Sequence, residues 1–446
     1  MMNRQKKFLS AVLVVLLVFA VFTQNVAASA PNIENLPQKG VYIRELVSDT
    51  LVYENNAAER YYPASITKLL TAFTAMDYLE LDETITVGQE VYAVIAGSSL
   101  ADLQPGERLT FYDLLYAMML PSGNDAANVI AAATAKKVKP NLTEFSAQNE
   151  LFCSLMNKKA KELGAKDSNF VNPSGLHKSN HYTTAQDMYF IGLASLQNPT
   201  IAKVCATPVY TVAEHTWYNT NLLLQRNYDE LKWTKKQGPN EFFSAYAKGL
   251  KTGHTIEAGR TIVAYYEHDN MKILVVLLHC GIEELFADAN AALAYTASCY
   301  EGISFGKAGQ TTAQLPVENA KEPTKILEVT PKTDATVILA KGKGAGIYQR
   351  VTYFDELFNI YFGKRFLKTD IAAGQAVGKI TLYNADGIEL KSVELMAKNA
   401  VVKDKFLFLR IVLFFVVIIL LLTVLLREVQ RRYRRNNYER KNISCP

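Results

Sequence analysis

Each end of the chain carries a long apolar segment, and these two segments constrain the fold more than any other feature. Near the N-terminus, residues 8–22 are apolar, follow a basic start and precede small residues, a pattern typical of a secretory signal. We therefore predict a signal peptide over residues 1–30, with an uncleaved anchor as the alternative. Near the C-terminus, residues 406–426 contain one charge, Arg410. At about 1.5 Å per residue they are long enough to cross a bilayer, which predicts a transmembrane helix.

The basic residues after this second segment predict its orientation. The tail over residues 427–446 carries seven basic residues against two acids, which is typical of a cytoplasmic flank. Residues 31–405 are then expected on the outer side of the membrane, whether or not the signal is cleaved.

The distribution of charge excludes a nucleic-acid-binding function. The formal net charge is +5, but the excess lies at the two ends and the remainder is slightly acidic. A nucleic-acid binder would concentrate positive charge on its folded part. The five cysteines show no metal-binding spacing, and we expect no metal or organic cofactor. Cys280 and Cys299 could form a disulfide or remain free thiols.

Hydrophobic patterns between the two ends predict an α+β domain over residues 31–309. A hairpin is expected within 41–53 and strands over 260–266 and 273–280. Helical periodicity covers residues 65–79, 112–120, 126–137, 145–163 and 283–300. Strands at both ends of the domain with helices between them favour a sheet that unites its first and last segments.

A change in composition marks a second domain. Residues 310–325 are polar and contain Pro316 and Pro323, so we predict a linker there. Residues 326–400 contain several short strand-like runs and a turn at 384–387, which predict a small all-β domain. It carries no catalytic pattern and is expected to act as a spacer or a binding module.

The residues Ser65 and Lys68 form the first candidate catalytic pair. Pro63 suits the start of a helix, where residues three apart lie on one face. A buried lysine next to a serine hydroxyl can lose its proton and act as a base. Taken alone, the pair is weak, because serine and lysine occur three residues apart in many helices.

Two further triplets strengthen this interpretation. The triplet Ser122-Gly123-Asn124 lies between two apolar helical segments, either as an ordinary loop or as a second hydroxyl and an amide beside Ser65. In Lys251-Thr252-Gly253, a strand lysine and a hydroxyl could bind a carboxylate, and the glycine would let a substrate backbone lie close. Each triplet is common by itself, but all three motifs in this order are much rarer by chance.

The three motifs resemble those of the low-molecular-weight penicillin-binding proteins, specifically the serine-type D-alanyl-D-alanine carboxypeptidases. The middle motif, Ser-Gly-Asn, keeps the hydroxyl and the amide of the Ser-Asp-Asn signature and lacks only the acid between them. The resemblance covers about residues 35–300 and includes flanking segments at positions 97–106, 172–188 and 249–255. It implies a serine β-lactamase-like, penicillin-binding-protein-like catalytic fold.

The resemblance also implies a mechanism without a metal or organic cofactor. Ser65 would attack the carbonyl between the terminal D-alanines of a peptidoglycan stem peptide and form an acyl-enzyme. Lys68 would act as base and Ser122 as proton relay. The substrate would be bound by the following groups: Asn124, the side chains of Lys251 and Thr252, Gly253, and the backbone N–H of His254, which with that of Ser65 would form the oxyanion hole. β-Lactams are expected as covalent inhibitors.

Two alternatives stay open at this stage. The same scaffold could act as an endopeptidase on crosslinked peptides. The chain could instead be a non-catalytic wall-binding protein or a membrane sensor of β-lactams, although such a protein has no physical need for the full set of motif residues. The sequence leaves the oligomeric state undetermined.

Overall fold

The computed structural model of this protein describes Ile33 and residues 40–229, 231, 234–281 and 284–442, with side chains up to residue 435. The predicted signal peptide lies outside the described residues. The chain divides into two compact units. The first contains the described residues up to Gly302 together with Ile338–Lys343, and the second contains Ile303–Val337 and the residues from Gly344 onward.

The first unit is an α+β unit. Its strands are β1 (Gly40–Glu45), β2 (Thr50–Asn55), β3 (Thr84–Thr86), β4 (Arg108–Thr110), β5 (Val209–Val212), β6 (His215–Tyr218), β7 (Ala247–Thr255), β8 (Gly259–His268) and β9 (Met271–Cys280). Its α-helices are α1 (Lys68–Ala75), α2 (Phe111–Met119), α3 (Asn124–Val138), α4 (Phe145–Glu162), α5 (Ala185–Gln197), α6 (Pro199–Ala206) and α7 (Leu285–Cys299).

The main sheet has the strand order β2-β1-β9-β8-β7. Its neighbouring strands are antiparallel, and β1 pairs with β9 from Gly40↔Leu278 to Glu45↔Ile273. The first and last segments of the domain therefore share one sheet, which confirms the prediction from the sequence.

The central strand β9 contributes side chains to two separate hydrophobic cores. Leu274, Val276 and Leu278 pack into the core that contains the residues of α1 to α6, whereas Ile273, Val275 and Leu277 pack into the core that contains α7. Successive side chains of a strand point to opposite faces, so a strand that is apolar throughout must be covered on both faces.

Two helices that the periodicity did not predict, α5 and α6, lie in the first core. Most faces of α5 are buried, so its sequence lacks the polar stripe that marks an amphipathic helix. Its start was nevertheless readable, since the Thr184 side chain accepts a hydrogen bond from the backbone N–H of Asp187. The predicted helix from Ser65 differs in detail: residues Ala64–Thr67 form a 3₁₀ turn, and α1 ends at Ala75.

The second unit contains the predicted β domain. The remaining strands of the chain are β10 (Tyr300–Ser304), β11 (Ala313–Pro316), β12 (Ile326–Pro331), β13 (Thr336–Ala340), β14 (Tyr348–Tyr353), β15 (Phe358–Tyr361), β16 (Lys364–Leu367), β17 (Ala376–Tyr383) and β18 (Glu389–Ala397). Five of these form an antiparallel sheet of order β11-β12-β18-β17-β14.

Part of the predicted linker is strand β11, which pairs with β12 from Ala313↔Val329 to Pro316↔Ile326. The segment is therefore not a linker over these four residues. β11 is an edge strand, where a proline is tolerated because one row of N–H groups needs no partner. The residue boundaries predicted for the domains stay predictions.

The helix α8 (Leu407–Asn442) follows the β domain. Residues Leu407–Arg435 form a helix long and apolar enough to cross a membrane, and none of its apolar window is buried. The helix continues past the predicted end of the span, because the tail is rich in arginine and other good helix formers. Cys280 and Cys299 are both free thiols.

The double role of β9 leads to a stability prediction. Leu277→Ala removes a fully buried side chain and should lower the free energy of unfolding by about 3 kcal/mol. Val209→Ala, at a side chain 42% exposed, should change it by less than about 0.5 kcal/mol. Urea unfolding in detergent, followed by tryptophan fluorescence, measures both. Equal effects of the two substitutions would contradict this account of the sheet.

Candidate active site

Ser65 lies on the 3₁₀ turn Ala64–Thr67 at the entry to α1. Two contacts hold this turn in place. The Thr261 hydroxyl on β8 donates a hydrogen bond to the Pro63 carbonyl at 2.9 Å. The second contact joins Thr67 Oγ1 and His181 Nε2, which are 3.0 Å apart.

His181 supports the turn as a neutral ring. Burial lowers the pKa of His181 to about 3. Its Nδ1 accepts a hydrogen bond from the backbone N–H of Val171 at 3.1 Å, so Nε2 carries the proton that it donates to Thr67.

Lys68 is fully buried beneath Ser65, and three oxygen atoms surround its Nζ. It donates to Ser65 Oγ at 2.9 Å, to Asn124 Oδ1 at 2.7 Å and to the Ser174 carbonyl at 2.8 Å. Three donors meet three acceptors, which satisfies an ammonium group completely.

The surroundings of Lys68 disfavour its charged form. Burial is the main cause that lowers its pKa well below the ordinary value, and the nearby charge of Lys251 lowers it further. Asp125 acts in the opposite direction but does not compensate. Asp125 is instead hydrogen-bonded to the backbone N–H groups of Ala101 and Leu103, which fixes the loop beside the site.

The Ser174 carbonyl is positioned by the side chain of Asn172. Asn172 Oδ1 accepts hydrogen bonds from the backbone N–H groups of Ser174, Gly175 and Leu176 at 2.8–3.2 Å, and its Nδ2 donates to the Leu176 carbonyl. Gly175 has a φ of +86°, and a Cβ there would lie 1.8 Å from the carbonyl oxygen of Ala64. Only glycine lets this loop approach the turn Ala64–Thr67 so closely.

The second motif lies between α2 and α3. Ser122 is buried with a φ of +65°, and its Oγ has no hydrogen-bond partner among the described residues. Asn124 is also buried, and its backbone N–H donates to the Ser99 carbonyl at 2.9 Å. Its Oδ1 is already engaged by Lys68, which leaves the amide Nδ2 available toward the adjoining cavity.

The third motif lies on β7 beside the turn that carries Ser65. Lys251 is buried and donates to the Thr252 carbonyl at 2.9 Å, and burial lowers its pKa to about 8. Thr252 Oγ1 lies 3.1 Å from Thr220 Oγ1. A Cβ on Gly253 would lie 2.8 Å from the Ser65 nitrogen, so β7 approaches Ser65 through a position that needs glycine.

All three motifs border one cavity of about 760 Å³. Six of the eight residues singled out from the sequence line it: Ser65, Ser122, Asn124, Thr252, Gly253 and His254. The other two, Lys68 and Lys251, are buried behind its wall.

Sequence reasoning missed three groups at this site. The Ser174 carbonyl is invisible to it because any residue supplies a carbonyl. Thr220 and Arg260 line the cavity but belong to no motif. Arg260 is half-buried, its Nε has no hydrogen-bond partner among the described residues, and burial lowers its pKa. Its place on β8, opposite His254 on β7, was the available signal.

The described residues contain no group of three or more histidine, cysteine or carboxylate side chains arranged to hold a metal ion. The groups that the site does contain are a hydroxyl beside a buried amine, with amide and cationic groups around it.

A comparison with protein families identifies the family to which this chain belongs. Residues 25–280 match the family model for D-alanyl-D-alanine carboxypeptidase, and residues 300–403 match that for the penicillin-binding protein 5 C-terminal domain. The chain belongs to the D-alanyl-D-alanine carboxypeptidase family. The expected catalytic fold and the following β domain are thereby confirmed.

Individual relatives agree with this assignment. The D-alanyl-D-alanine carboxypeptidase DacF of Bacillus subtilis is 28% identical over 379 residues, covering 83% of this chain and 87% of that protein. DacA of Escherichia coli is 27% identical over 304 residues, covering 66% and 69%. The structure is similar in fold to penicillin-binding protein 5 from Haemophilus influenzae, with a TM-score of 0.54 and 23% identity over 82% of this chain and 98% of that one.

The loop that presents Ser174 gives a second prediction. Asn172→Ala leaves three backbone N–H groups without their acceptor and should lower the free energy of unfolding by about 2 kcal/mol. Asn172→Asp keeps that acceptor, although it exchanges the Nδ2 donor for a charged oxygen, so its effect should be smaller. Urea unfolding of the two purified variants measures the difference. If both variants unfold like the parent, Asn172 does not hold the loop.

Proposed function

We propose that this chain is a membrane-anchored serine D-alanyl-D-alanine carboxypeptidase that removes the terminal D-Ala from peptidoglycan stem pentapeptides. One observation carries the proposal: a fully buried amine, Lys68 Nζ, lies 2.9 Å from the hydroxyl oxygen of Ser65 at the edge of a cavity.

The three partners of Lys68 explain how it would act as a base. A neutral amine has two hydrogens and one lone pair. Asn124 Oδ1 and the Ser174 carbonyl can only accept hydrogen bonds, so they orient the two hydrogens. The lone pair then faces the only partner that can donate a proton, the Ser65 hydroxyl. The lowered pKa of Lys68 makes this neutral form accessible at a lower pH than for an ordinary lysine.

Acyl transfer would then proceed in two halves. Ser65 Oγ attacks the carbonyl between the two D-alanines while its proton moves to Lys68, and the N–H groups of Ser65 and His254 stabilise the oxyanion. Collapse breaks the peptide bond, and the leaving amine receives a proton through Ser122, whose Oγ has no other partner among the described residues. Water then attacks the ester and releases the shortened peptide, which regenerates Ser65.

Cationic and hydroxyl groups on β7 and β8 would bind the substrate carboxylate. Lys251, with a pKa of about 8, is mostly protonated at neutral pH and lies next to the Thr252 hydroxyl. Arg260 adds a second cation on the cavity wall. β-Lactams would acylate Ser65 by the same route and remain attached.

The C-terminal helix supports a location at the membrane. Arginines at positions 431, 432, 434 and 435 follow the apolar segment, which favours a cytoplasmic C-terminus. The catalytic unit would then lie on the outer side, where the peptidoglycan is. The predicted signal peptide agrees with export of the catalytic unit to the outer side of the membrane.

Intact mass spectrometry after incubation with penicillin tests the proposed nucleophile. We expect the parent to gain the mass of one penicillin and Ser65→Ala to gain none, because Ser65 Oγ is the hydroxyl oxygen that lies 2.9 Å from the buried Lys68 amine. Release of D-Ala from a pentapeptide should be lost in the same variant. A Ser65→Ala melting temperature equal to that of the parent serves as the folding control.

Two outcomes would contradict the proposal. An adduct that persists in Ser65→Ala would place the nucleophile elsewhere, and a folded parent without adduct would favour a non-catalytic wall-binding role. Assays of a crosslinked peptide dimer beside the pentapeptide distinguish an endopeptidase, which would cleave the dimer in preference.

A further inference from the structure

The hairpin β15–β16 ends in an exposed apolar tip. Tyr361 pairs with Lys364, so Phe362 and Gly363 form a two-residue turn. Phe362 is fully exposed, and Ile360 and Tyr361 are 64% and 56% exposed. Three adjacent apolar side chains in water at a turn are unusual for a surface that meets only solvent.

The backbone at this tip makes the aromatic residue harder to explain by folding alone. Phe362 has a φ of +50° and Gly363 a φ of +77°. A turn with two positive φ angles favours Asn-Gly, because bulky side chains are strained in the left-handed region. Phe362 therefore costs stability in its backbone and contributes no packing in return, which points to a role at an external surface.

Strand registers locate the hairpin at one end of the five-stranded sheet of the second unit. β14 ends at Tyr353, which pairs with Gly378 near the start of β17. The chain between these two positions contains the hairpin. The opposite end of β17 pairs Tyr383 with Glu389 across the turn at 384–387. The segment that contains the hairpin and the turn at 384–387 thus lie toward opposite ends of the sheet.

The chain leaves the β domain for α8 at the same end as the hairpin. The end of β18 pairs Ala397 with Val329, and the following residue, Lys398, bonds to the Glu328 carbonyl. Asn319 then joins the two segments directly. Its side chain forms two hydrogen bonds with the backbone of Leu367 on β16, and its carbonyl accepts from the N–H of Asp404 at 2.6 Å.

Asn319 is thus hydrogen-bonded both to Leu367, at the base of the hairpin, and to Asp404, three residues before α8 begins. The base of the hairpin therefore lies close to the start of α8. From Leu367 to the tip, the hairpin extends about 15 Å at about 3.3 Å per residue. That length exceeds the thickness of one headgroup region, about 5–8 Å, so a hairpin whose base lies near the start of α8 is long enough for its tip to reach the headgroups.

We propose that the β15–β16 tip inserts into the headgroup region of the bilayer that α8 crosses. The inference rests on the proposed membrane anchoring of this chain. Aromatic side chains partition favourably into that region. Residues 358–368 contain three basic side chains and no acid; Lys364 is paired with Glu318 at 3.1 Å, so the attraction to anionic lipids would come mainly from Arg365 and Lys368. A second contact beside the helix would restrict how the β domain tilts over the membrane.

Tryptophan fluorescence of the full chain in vesicles tests this contact. Phe362→Trp places a reporter at the tip, and Ile388→Trp places a matched reporter at the opposite turn, where Ile388 is 61% exposed. Both are compared with the parent, which contributes Trp217 and Trp233. The vesicles contain phosphatidylcholine and phosphatidylglycerol, with and without lipids brominated near the headgroup. Penicillin labelling should be equal in all three proteins.

We expect the added emission of Phe362→Trp to shift to shorter wavelength and to be quenched by the brominated lipids, and that of Ile388→Trp to show neither effect. Equal responses of the two reporters would overturn the inference, as would a blue shift at position 362 without quenching, which indicates contact with protein.

Extraction with alkaline carbonate separates the two proposals. Protein that is extracted contradicts both the anchoring and the tip contact, whereas retained protein with an unquenched tip contradicts the tip contact alone.

Discussion

The burial of the Lys68 amine beside Ser65 is the interaction on which the rest of the site depends. A lysine removed from water loses much of the hydration that favours its charge, and the second buried lysine, Lys251, adds repulsion. The same burial requires that each N–H of the neutral amine find an acceptor; Asn124 Oδ1 and the Ser174 carbonyl accept them, which leaves the lone pair toward Ser65. One physical constraint thus produces both a lowered pKa and a fixed direction of the lone pair.

The fold brings three distant segments close enough to meet that constraint. Gly253 lets β7 approach the Ser65 nitrogen, and Gly175 lets the loop that carries Ser174 contact the same turn from another side. Strand β9 lies between the helical core and the α7 core and contributes alternate side chains to both. The two glycines let these segments approach Ser65, and the large apolar side chains fill the cores on either side of the sheet.

Much of the fold and part of the candidate site were predictable from the sequence, for identifiable reasons. The sheet that unites the chain segments was predictable because its strands are long and apolar, and the motif side chains were selected because the three motifs occur together in one order, which is rare by chance. The Ser174 carbonyl was not, since backbone atoms leave no mark in a sequence. Helix α5 was missed because burial on most faces removes periodicity. Strand β11 was missed because an edge strand tolerates polar residues and proline.

The pH dependence of Ser65 acylation by a penicillin tests the central claim most directly. If burial lowers the pKa of Lys68 well below its ordinary value, its base form is populated at a lower pH than that of an exposed lysine. The acylation rate should then reach its maximum well below pH 10 and fall above about pH 8, where Lys251 loses the proton that binds the penicillin carboxylate. A rate that instead climbs steadily from pH 7 to pH 10, as for a lysine with a pKa of about 10.4, would contradict the account.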